Sequence, residues 1–258
     1  MTAEAVIGQQ GADFAREINR LRGGGGRYSQ ADAQNKDAGP HELHTPDRAP
    51  KRGVMEVIIS HMLRAVKNPV LLIHGIDDTS ALFRRMAAGL REQGWETHAL
   101  DVTPNNGSAG LLELAGQVDA YVQRHLAGAP HIDIVGFSMG GIVSRVYVQS
   151  LAGVERVERL VTISSPHNGT WSAYCRFNEG ARDMRPGSAL LRELNQRAPE
   201  LCRNVRVTSV WSRFDLMILP ASSSVLPGAC NVCVNVPAHA VMVNSPRVQQ
   251  LVVEALST

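Results

Sequence analysis

The stretch that most restricts how this chain folds is Ile132-Asp133-Ile134-Val135, which runs directly into Gly136-Phe137-Ser138-Met139-Gly140-Gly141. Behind it, Ile142, Val143, Val146, Tyr147 and Leu151 recur at helical spacing. The short apolar run reads as a buried strand and the spaced apolar residues as one face of a helix. A strand that turns this abruptly into a helix needs glycine on both sides of the turn, where any Cβ would strike the neighbouring element. The apex residue, Ser138, is then held in a strained conformation with its hydroxyl exposed. The same turn sets the Met139 N–H at a helix N-terminus, where a developing negative oxygen is stabilised. Gly-x-Ser-x-Gly by itself arises often by chance. The strand before it and the helix after it separate this instance from an ordinary tight turn without chemistry.

The alternation extends over the rest of the chain from about residue 54. Val70-Leu71-Leu72-Ile73 reads as a strand that leads into His74-Gly75-Ile76-Asp77-Asp78. A helix follows, with Ser80 as its cap, Leu82, Phe83, Met86 and Leu90 on one face and Gly94 at its end. Strands are expected over 95–102, 160–163, 205–211 and 232–236, and a helix over 109–127. Ser245 and Pro246 open the final helix, with Val248, Leu251, Val252 and Leu256 turned inward. Such alternation predicts an α/β protein with a mostly parallel sheet covered on both faces. Ligand sites in such sheets lie at the carboxyl ends of the strands, where the candidate residues of this chain fall.

Residues 1–53 are different in kind. Four consecutive glycines, Gly23 to Gly26, precede a polar run poor in apolar residues. The spacing of Phe14, Ile18 and Leu21 predicts a short helix over 12–21, and the remainder of 1–53 is expected to be disordered, leaving 54–258 as the folded domain. The net charge of +2 gives no reason to expect nucleic acid as a partner. No apolar run approaches the roughly 18–20 residues needed to span a bilayer. The first residues lack a basic stretch followed by a long apolar one, so no signal peptide is expected, and the cytoplasm is the expected compartment. Cys230 and Cys233 form a C-x-x-C without the partners of a zinc set, so no metal and no cofactor are expected. Cys175, Cys202, Cys230 and Cys233 read as free thiols or, in an oxidising compartment, as disulfide partners.

Four segments together resemble the α/β-hydrolase superfamily, and within it the small bacterial triacylglycerol lipases and esterases. They are Leu72-Ile73-His74-Gly75-Ile76, the segment from Val135 to Gly141, Ile163-Ser164-Ser165-Pro166-His167-Asn168-Gly169-Thr170, and Asp215-Leu216-Met217-Ile218-Leu219-Pro220. The resemblance covers roughly residues 68–258. It implies the α/β-hydrolase fold and a serine nucleophile, Ser138, activated by a base that an acid orients. The family order of serine, acid and histidine leaves His167 and His239 as candidate bases. His239 follows the last strand, where the family's histidine sits. Asp215 occupies the acid position, with Asp183 and Glu193 as competitors in chain order. The backbone N–H groups of Ile76 and Met139 are the implied oxyanion donors.

By the same resemblance, residues 166–204 form a short cap, and His167 and Trp171 line the substrate pocket. The implied reaction is hydrolysis of a carboxylic ester, from a small molecule or a lipid, through an acyl-enzyme. The same three residues also serve acyl transfer to an alcohol. A non-catalytic member of the fold is the remaining alternative, and the complete set of Ser138, Asp215 and His239 speaks against it. Nothing in the sequence indicates an oligomeric state.

Overall fold

The sequence alternation appears as six strands in the structure, a computed structural model that describes residues 67–151 and 153–258. The disorder expected for 1–53 and the helix expected over 12–21 lie outside the described residues. The strands are β1 (Val70–Ile73), β2 (Thr97–Leu100), β3 (Ile132–Phe137), β4 (Val157–Ile163), β5 (Arg206–Ser212) and β6 (Cys230–Val234). They form one sheet in the order β2-β1-β3-β4-β5-β6. All five pairings are parallel.

Parallel neighbours require crossovers, and helices supply them on both faces. The helices are α1 (Arg84–Glu92), α2 (Leu111–His125), α3 (Met139–Ser150), α4 (Glu179–Asp183), α5 (Ala189–Gln196), α6 (Ala198–Asn204) and α7 (Pro246–Ser257). Successive strand side chains point to opposite faces, so one strand feeds two cores. Leu71 and Ile73 of β1 pack with Leu114 and Val118 of α2 and with Ile142 and Val146 of α3. Val70 and Leu72 pack with Met86 and Leu90 of α1 and with Val248 and Val252 of α7. All six residues of β3 are buried, which is why it reads as a nearly continuous apolar run.

Two capping expectations change. Ser80 opens a short 3-10 turn, Ser80–Phe83, and its hydroxyl donates to Asp101 Oδ2 at 2.9 Å. Ser245 stands at the start of α7 without a side-chain cap bond. The excursion after β4 does carry capped helices: Asn178 accepts the Ala181 N–H and Ser188 accepts the Leu191 N–H. Among the described residues, no helix is long and apolar enough to cross a membrane.

Candidate active site

The loops leaving the carboxyl ends of β1, β3, β5 and β6 carry His74–Asp78, Ser138, Asp215 and His239 respectively. Ser138 sits at φ 53° and ψ −121°, a conformation rare for a residue with a side chain. The turn closes on glycine. A Cβ on Gly136 would come within 2.6 Å of Gly141 Cα, and one on Gly140 within 2.2 Å of the Ile73 carbonyl oxygen. The Ser138 N–H donates to the Ile163 carbonyl at 2.8 Å, tying the turn to β4.

His239 Nδ1 lies 2.7 Å from Asp215 Oδ2. The other carboxylate oxygen, Oδ1, accepts the N–H groups of Met217 at 2.9 Å and Ile218 at 3.0 Å. Asp215 is 3% exposed. Burial pushes its carboxyl up, but the His239 hydrogen bond and charge, with the Ile218 and Met217 N–H groups, outweigh that and hold it below the usual carboxylate range. With Nδ1–H donated to Asp215, Nε2 is the basic nitrogen of the ring. The Phe137 ring, next to Ser138 in the chain, packs on the His239 ring with centroids 4.7 Å apart. The competing acids are placed elsewhere. Asp183 Oδ2 accepts the Leu111 N–H at the start of α2, and Glu193 is exposed on α5.

Among the described residues, neither the Ile76 nor the Met139 N–H donates a hydrogen bond within the protein. The Ile76 loop is held from beneath by His74, which is fully buried. Its Nε2 accepts the Val102 N–H at 3.2 Å, so Nδ1 carries the proton and donates to the Gly75 carbonyl at 2.8 Å. Asp77 follows at φ 60°, with its N–H on the Asn105 carbonyl and its carboxylate paired with Arg176 of the excursion.

A cavity of about 380 Å³ opens at Ser138, walled by Ile76, Pro166, Ala173, Met184 and Ile218 among others. The structure does not bring His167 or Trp171 to it. His167 is fully buried, with Nε2 3.0 Å from Thr162 Oγ1 and Nδ1 3.4 Å from Arg145 Nη1. Burial, with the Arg145 charge beside it, pushes its pKa well below the ordinary histidine value, so the ring stays neutral. Trp171 is 60% exposed and stacks on Tyr174. Arg145 also binds Gln149, Asn195 and the Leu194 carbonyl, joining α3 to α5. Nothing in the sequence marks it, because a charged residue beside Val143 and Val146 reads as the solvent edge of a helix. Cys175, Cys202, Cys230 and Cys233 are free thiols, and Cys175 reaches the cavity wall. Among the described residues, no group of three or more histidine, cysteine or acidic side chains could hold a metal ion.

Residues 69–221 match the family model described as palmitoyl protein thioesterase. Among solved structures, the mature form of Bacillus licheniformis lipase BlEst2 is similar at a TM-score of 0.62 and 15% identity, over 74% of this chain and 93% of that one. Aspergillus fumigatus lipase B gives 0.63 and 17%, over 74% of this chain and 53% of the other. An α/β-hydrolase enzyme from the metagenome of sediments of the Mar Chica lagoon, Morocco, gives 0.54 and 16%, over 73% and 90%. At these identities the likeness is one of fold, the α/β-hydrolase fold.

Proposed function

The chain belongs to the palmitoyl protein thioesterase family, and from that premise we propose that it hydrolyses acyl esters through an acyl-enzyme on Ser138. The observation that carries the reading is the 2.7 Å Asp215–His239 pair, packed against the residue that precedes a strained Ser138. In this reading His239 Nε2 takes the Ser138 proton as the hydroxyl oxygen attacks the ester carbonyl. Asp215 holds the ring in the tautomer that leaves Nε2 basic and stabilises the imidazolium that forms. The Ile76 and Met139 N–H groups receive the carbonyl oxygen as it becomes negative. Having no protein partner among the described residues, they are free to turn to that oxygen without breaking a bond within the protein. His239 returns the proton to the departing alcohol. Water then attacks the acyl-enzyme by the same route, and the acyl group leaves the 380 Å³ cavity as a carboxylic acid.

The description of the matched family favours a second substrate, the thioester. The attack is the same, and a thiol leaves with less help from the proton on His239, because it is a stronger acid than an alcohol.

A fluorophosphonate probe tests the common chemistry. Label is expected on the peptide containing Ser138. Ser138→Ala is expected to lose both the label and the hydrolysis of p-nitrophenyl butyrate while its thermal unfolding stays close to that of the parent. An unlabelled Ser138 in the parent overturns the reading.

A further inference from the structure

We propose that Asp78 is a specificity-determining residue, which selects esters whose alcohol portion carries a positive charge. The inference rests on the acyl-enzyme reading and adds the class of leaving group. It starts from the backbone of the loop after β1. The Asp78 N–H points to the Gly75 carbonyl and its own carbonyl accepts Asn105 Nδ2 at 2.7 Å. The residue is thus fixed at both ends. Its half-buried carboxylate, among the described residues, accepts no hydrogen bond.

That carboxylate stands beside the reacting groups. A Cβ added to Gly75 would lie 3.1 Å from Asp78 Oδ2 and 3.0 Å from Ser138 Cβ, so the two side chains close on the same face of Gly75 with less than a methyl group's room between them. Neither Asp78 nor His239 lines the cavity assigned to the acyl group, although Ser138 does. His239 protonates the departing oxygen, so the leaving group stands on its side of the serine. Asp78 also approaches Ser138 from outside that cavity, and burial, the largest influence, holds its carboxyl above the usual carboxylate range against the pull of His74 and His239.

The other ionisable side chains named around the cleft have partners. Asp77 pairs with Arg176, and Asp215 with His239. His74 has both ring nitrogens on backbone groups. Arg185 lies over the Tyr174 ring and donates to the Arg176 carbonyl. Among the described residues, the Asp78 carboxylate beside Ser138 has neither a hydrogen bond nor an ion pair. A lone carboxylate there opposes the negative oxygen of the tetrahedral intermediate. A neutral ester bears that opposition in full, whereas a cation on the alcohol cancels it. The side chain therefore discriminates between leaving groups rather than accelerating the reaction of all of them.

Butyrylcholine and 3,3-dimethylbutyl butyrate have the same shape and differ by one positive charge. The parent protein is expected to prefer the choline ester in kcat/KM by on the order of tenfold at low salt, with the preference shrinking as ionic strength rises. In Asp78→Asn the ratio is expected to fall close to one, whatever change is common to both esters. A ratio near one in the parent, or an unchanged ratio in Asp78→Asn, overturns the proposal. Should that variant not fold, inhibition of the parent decides. Choline is expected to compete better than 3,3-dimethylbutanol, and equal inhibition counts against Asp78. Hydrolysis of neither ester by a protein whose Ser138 takes the fluorophosphonate label removes only this proposal, whereas an unlabelled Ser138 removes the acyl-enzyme reading with it. Equal hydrolysis of both by the parent removes only this one.

Discussion

The two oxygens of Asp215 have different neighbours, and the difference fixes what an amide in its place does. Oδ1 accepts two backbone N–H groups, so an asparagine orients its oxygen there. Its NH2 group then faces His239 Nδ1, which can only accept. The ring is forced into the tautomer with the proton on Nε2, where it cannot take the Ser138 proton. Asp215→Asn is therefore expected to lower kcat by about 10⁴-fold, the scale of the same change in other serine enzymes, with little change in KM. Steady-state kinetics on a p-nitrophenyl ester checks this. Near-normal turnover would mean that another carboxylate orients the base. Asp183 is poorly placed for that, because it accepts the first N–H of α2.

At the scale of elements, β3 carries a buried charge at one end and the nucleophile beyond the other. Asp133, fully buried, is bound by Asn68 Nδ2 at 3.1 Å and by Arg159 Nη1 at 3.3 Å. Burial pushes its carboxyl up to about 6, more than Asn68 and Arg159 pull it down. The folded protein thus holds this proton more tightly than the unfolded chain does. The resulting contribution to stability is complete below the unfolded value near pH 4 and is lost as the pH rises through 6. Urea unfolding at pH 4 and pH 7 is expected to show this loss, on the order of 2 kcal/mol, in the parent and not in Asp133→Asn. Equal pH slopes in the two proteins would contradict it.

The same strand shows what the sequence makes legible. The apolar run and the glycines around Ser138 are local, so their pattern predicts β3, α3 and the strained turn between them. Asp215 and His239 are singled out by the resemblance, from the family's order of serine, acid and histidine, and the sheet brings them together. Tertiary partners are not local. Nothing in the sequence singles out Arg145, and the resemblance makes His167 a pocket residue. Both are buried where Thr162 of β4, Gln149 of α3 itself, and Asn195 and the Leu194 carbonyl of α5 converge on them. Ser80 has the chemistry of a cap but meets Asp101 from the end of β2 first.

Over the whole molecule, most of the large apolar side chains left exposed among the described residues sit on two segments, 171–177 and 214–219. Phe177 is 80% exposed and Leu216 78%. The segments are bonded to each other. Thr170 and Ser172 donate to the Met217 carbonyl, and Trp171 to that of Leu219. Ala173, Met217 and Ile218 of these segments line a cavity whose 380 Å³ is near the lower end of the roughly 300–1,000 Å³ typical of ligand pockets. An acyl chain then meets two environments. Within the cavity each methylene leaves water completely, and kcat/KM is expected to rise by roughly three- to fourfold per carbon, the equivalent of about 0.8 kcal/mol. Once the cavity is full the chain lies over exposed side chains, where it is only partly covered, and the increment is expected to shrink without vanishing. A series of oxygen esters and a matching series of thioesters, from acetyl to palmitoyl and assayed below their solubility limits, measures both slopes. A break at the same chain length in both series assigns it to the acyl cavity. A break that moves with the leaving atom would place the limit on the other side of Ser138, where Asp78 and His239 stand.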